Sequence, residues 1–90
     1  MATVKVKKLN ESTFEVTVEA QATTTHTVTV DPGYAAKLTD GKVPVERLVQ
    51  RSFDFLLERE PNTSILRRFD LPVIGRYFPE YERTIKNMLA

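Results

Sequence analysis

Through residues 3–30, apolar and polar side chains alternate with period two in three successive runs, and no other feature restricts the fold as strongly. Val4 and Val6 stand against Lys5 and Lys7. Phe14, Val16, Val18 and Ala20 stand against Glu15, Thr17 and Glu19, and His26, Val28 and Val30 against Thr25, Thr27 and Thr29. Successive side chains of a strand point to opposite faces, so this pattern describes antiparallel strands with one buried and one wet face. Polar breaks at 10–13 and 21–24 suit two tight turns. Placing Val6 opposite Val16 also sets Lys7 opposite Glu15, so packing and charge select one register. A three-stranded meander cannot stand alone and needs a cover over its valine face.

The cover has to come from the rest of the chain, where the spacing changes to three and four. Asp31-Pro32 reads as an N-cap and first helical residue, and Asp40-Gly41 as the stop of a short helix. Val45, Leu48, Val49, Phe53, Leu56 and Leu57 form one stripe of a main helix over about residues 44–60, widened by Phe55. Pro61 ends it. A turn carrying Ile65, Leu66 and Phe69 is expected next, followed by a turn with Val73, Ile74, Tyr77 and Phe78 inward. A last helix after Pro79 carries Tyr81, Ile85 and Met88 or Leu89, with a Glu82–Lys86 surface pair. Strands first and helices afterwards means α+β: an antiparallel meander at about 3–30 with one face covered by a main helix and several short ones. Ninety residues suit a single domain, 1–90.

Composition matters here for what it excludes. Thirteen basic and twelve acidic residues leave a net charge of +1, so no global field holds a polyanion or an anionic membrane. Nucleic acid is therefore not an expected partner. The absence of cysteine removes disulfide and thiolate chemistry, and a single histidine removes a multi-histidine metal site. No metal or cofactor is expected. Nor does any stretch approach the roughly 20 apolar residues of a membrane helix. With no apolar leader at the start of the chain, a cytoplasmic location is expected.

Three places could carry chemistry. By parity His26 lies on the valine face, where a titratable ring meets the cover; with Tyr34 and Tyr77 it defines a candidate ligand site between sheet and helices. Arg67, Arg68 and Arg76 are candidate contacts for an anion or an acidic partner, although Asp70, Glu80 and Glu82 lie near enough in sequence to neutralise them. The third strand lacks the lysines that guard the first, so if the chain self-associates through strands, the third is the expected edge; the partner is a protein or a second copy. No spacing singles out a catalytic pair, and no catalytic residue is assigned.

The run SFDFLLEREPNTSILRRFDLPVIGRYFPEYE, with HTVTVDPGY upstream, resembles small bacterial proteins of unknown function. The resemblance implies a stand-alone bacterial protein and transfers no site residue. The leading functional expectation is a non-enzymatic protein-interaction or regulatory module. The alternative is a small-ligand-binding protein with a pocket between sheet and helices, and an enzyme using His26 comes third.

Overall fold

The computed structural model describes residues 2–90. Strands β1 (Thr3–Asn10), β2 (Thr13–Glu19) and β3 (Thr23–Thr29) form the expected antiparallel meander. Val6 lies opposite Val16 and Lys7 opposite Glu15, the register that packing and charge select. Phe14, Val16, Val18, His26 and Val28 are buried on one face, whereas Lys5, Lys7, Glu19 and Thr25 are exposed on the other.

Helix α1 (Pro32–Thr39) begins where Asp31 accepts the Tyr34 backbone N–H at 3.1 Å. It ends at Asp40 and Gly41, whose φ angles of 55° and 69° reverse the chain. Helix α2 spans Val45–Leu57, three residues short of the expected end at its C-terminal side. Its two apolar flanks face different layers. Phe53 packs on His26 and Phe69 on the sheet side, at ring-centroid distances of 5.3 and 6.0 Å. Phe55 meets Tyr81 and Phe78 edge-on at 5.3 and 5.8 Å. The breadth of the apolar stripe is thus explained by α2 lying between sheet and short helices. Those are α3 (Val73–Tyr77) and α4 (Tyr81–Leu89), the latter burying Tyr81 and Ile85 completely.

Four expectations need correction. The sheet has four strands in the order β1-β2-β3-β4, because β4 (Arg68–Asp70) pairs in parallel with Thr27–Thr29. Phe69 is therefore a strand residue facing the core, where a helical turn was expected. β4 also covers half of β3, so the third strand is an interior strand and not the free edge proposed for self-association. The segment before β4 folds as a single 3₁₀ turn, Asn62–Ser64, and then runs extended. Leu66 and Tyr77 were expected inside; they are 47% and 67% exposed.

Candidate functional site

At the first half of β3, ladder bonding to β4 gives way to side chains. His26 is 0% exposed, its Nδ1 lies 2.7 Å from the Leu66 carbonyl and its Nε2 2.8 Å from Thr24 Oγ1. A carbonyl only accepts, so Nδ1 carries the proton and Nε2 offers its lone pair to the Thr24 hydroxyl. Thr24 Oγ1 in turn accepts Asn62 Nδ2–H at 2.8 Å, and the same amide donates to the Ala22 carbonyl at 2.9 Å. One directional chain of donors therefore fastens the 62–66 segment to β3. Burial holds the His26 pKa below its ordinary 6.5; the Leu66 bond opposes this and the nearby Arg67 charge adds to it. Both ring nitrogens are engaged by the protein itself. A general base needs one within reach of a substrate.

Tyr34, the second expected ligand contact, sits elsewhere in a different network. Its hydroxyl donates to Glu82 at 2.8 Å, and Lys37 closes on the same carboxylate at 3.3 Å. Partial burial and the Glu82 bond raise the Tyr34 pKa, while that bond and Lys37 hold Glu82 below the usual carboxylate range. This ties α1 to α4. It also replaces the expected Glu82–Lys86 pair, because the carboxylate reaches across to the neighbouring helix. A third buried link, not expected, joins α2 to α4: Ser52 donates to the Leu48 carbonyl at 2.7 Å, which leaves its oxygen to accept Tyr81 O–H, also at 2.7 Å.

Tyr77, the third, faces an open groove of about 240 Å³. Leu56, Ile65, Phe69 and Ile74 are its buried apolar walls; Leu66 and Tyr77 are exposed members of its lining. Neither His26 nor Tyr34 lines it. Of the three large hydrophobic residues exposed among the described residues, Leu9 lies at the end of β1, and both others belong to this groove. The structure thus brings Tyr77 together with Leu66, Val73 and Phe78, residues that the inward three-and-four spacing had assigned to the core. Spacing gave no signal of this exposure, because it reports which side chains share a face and not whether that face is covered.

Arg67, Arg68 and Arg76 are all exposed, and none has an ion pair among the described residues. The acids expected to neutralise them are occupied. Asp70 accepts the Thr29 hydroxyl, and Glu82 holds Tyr34 and Lys37. Glu80 pairs with Arg59 at 3.3 Å, while the Arg59 guanidinium stacks 3.6 Å from the Phe55 ring centre. Arg67 follows Leu66 and Arg76 precedes Tyr77 in sequence, but none of the three arginines lines the groove.

Among the described residues no three histidine, aspartate or glutamate side chains converge on a metal-sized site, and no helix is long and apolar enough to cross a membrane. Compared with protein-family models, curated proteins and solved structures, the chain matches none.

Proposed function

We propose that the chain is a protein-interaction module that docks an acidic, amphipathic segment of a partner protein in the groove beneath Leu66 and Tyr77. The observation that carries this reading is the pairing of these two exposed hydrophobics on one open apolar groove whose walls are core side chains. Charge supports the choice of occupant. Residues 61–79, which supply most of the lining, hold three arginines against one aspartate already bonded to Thr29; the arginines lie outside the lining, whose one charged residue is Glu60, so the complementary acids belong to the flanks of the segment and not to its anchors. A segment with apolar anchors and acidic flanks complements both properties. Size weighs against a small-molecule site: about 240 Å³ falls below the roughly 300–1,000 Å³ of typical ligand pockets.

The test is an amide-shift titration with two synthetic twelve-residue amphipathic peptides of equal apolar content, one acidic and one basic. The acidic peptide is expected to move groove resonances around residues 64–78, more weakly as salt rises. Shifts confined to the outer sheet face, or equal response to the basic peptide, would contradict the proposal. Light scattering on the free chain tests the competing occupant. A dimer dispersed by Tyr77→Ser would assign the groove to a second copy instead.

A further inference from the structure

β4 is the last strand of the sheet, and its outer edge is unpaired. The Arg67 carbonyl accepts the Thr27 N–H at 2.7 Å, and the Leu71 N–H donates to the Thr29 carbonyl at 2.9 Å. Hydrogen-bonding directions alternate along a strand, so Phe69 also faces β3, while Arg68 and Asp70 turn their N–H and C=O groups to the open edge. No bond engages those groups among the described residues. Side chains alternate as well. Arg68 and Asp70 are exposed on the outer face, whereas Phe69 points inward and forms a wall of the groove. One short strand therefore carries both an unpaired backbone edge and part of the apolar groove.

From this we infer that the docked segment binds as an extended strand added to β4, its backbone on Arg68 and Asp70 and its alternate apolar side chains entering the groove beside Phe69. Paired strands lie about 4.8 Å apart, and every second side chain of the added strand falls on the face of Phe69. A docked helix satisfies its own backbone. Laid over this edge, it would take the N–H and C=O groups of Arg68 and Asp70 from water without giving them partners, a cost that an added strand avoids. The opposite edge of the sheet lacks this combination, because β1 carries Lys5, Lys7 and Lys8 and contributes no residue to the groove. The inference rests on the docking reading. It goes further by fixing the partner's conformation and its spacing, with apolar residues at every second position.

Two acidic twelve-residue peptides of identical composition separate strand from helix. One has its apolar residues at every second position, the other has them spaced by three and four. Each is titrated into the wild-type chain, with groove amide shifts reporting binding and hydrogen exchange of the Arg68 and Asp70 amides reporting pairing. The alternating peptide is expected to bind about tenfold more tightly and to slow exchange at both amides. Arg68→Pro deletes one outward N–H and leaves the Arg67 carbonyl and the Phe69 N–H on β3, so it should weaken the alternating peptide about fivefold at an unchanged melting temperature. If the proline lowers the melting temperature, exchange in the wild type decides alone. Groove binding without protection of both amides, or equal binding of the helically spaced peptide, would overturn the added strand and leave the groove standing. If neither peptide moves groove amides, the docking reading falls and this inference falls with it. Protection of Arg68 and Asp70 that grows with chain concentration in the absence of peptide would assign the edge to a second copy and overturn the inference as well.

Discussion

The segment from Asn62 to Leu66 has two sides, and they differ in how completely they are satisfied. Toward β3, the Asn62 amide, the Thr24 hydroxyl and the His26 ring use one another and two backbone carbonyls, out of contact with water. Toward α3, the same segment presents Leu66 to solvent in a groove it shares with exposed Tyr77. A buried polar group left without a partner costs on the order of 1–3 kcal/mol, so the first side is closed to new chemistry. Exposed apolar surface has interactions still to make. Polar residues that look functional by type can therefore be structural, and the functional surface can be built from residues that spacing assigns to the core.

Substitutions can break this contrast. The largest effect is expected from Phe53→Ala, which removes the ring packed on both His26 and Phe69. Urea unfolding should show a loss of about 3–5 kcal/mol. His26→Ala should follow at about 2–4 kcal/mol, because it opens a cavity and strands the Thr24 hydroxyl and the Leu66 carbonyl. Asn62→Ala should cost about 1–3 kcal/mol, since Thr24 and the Ala22 carbonyl lose the same donor.

Acid should act through the same ring. Because folding lowers the His26 pKa, the unfolded chain takes up a proton as pH falls below 6.5 while the folded chain resists it. Stability is thus complete above that pH and declines on acidification toward pH 5, by at most about 1.4 kcal/mol per pH unit. His26→Gln should flatten the profile over this window. An equally steep wild-type and variant profile would show that other groups carry the dependence. The smallest effects on stability are expected on the groove side, where Leu66→Ser and Tyr77→Ser should each change it by under about 0.5 kcal/mol.

Much of the fold was legible where a periodicity ran long enough to be unambiguous. The alternation in β1–β3 settles the strands, their register and the burial of His26, and the Asp31-Pro32 signal places α1. β4 was not legible because three residues with one apolar member carry no period, and Phe69 also satisfies helical spacing from Ile65. Its existence depends on the geometry of β3, which offers unpaired backbone groups where the chain returns. The groove was illegible for a related reason: spacing reports which side chains share a face, not whether enough structure exists to cover that face. Tyr77 belonged to the expected ligand site, yet its neighbours there are Leu66 and Phe78, with His26 and Tyr34 committed to their own networks. Ion pairing was misjudged where sequence proximity stood in for distance, since Glu80 and Glu82 reach Arg59 and Lys37 across the fold.

The contrast between a sealed side and an open side rests most directly on thermal unfolding of the double variant Leu66→Ser, Tyr77→Ser beside His26→Ala. The expected result is a double variant that melts within about 4 °C of the wild type, with His26→Ala lower by roughly 10 °C or more. A double variant that melts as low as His26→Ala would place Leu66 and Tyr77 in the working core and remove the basis for a docking groove.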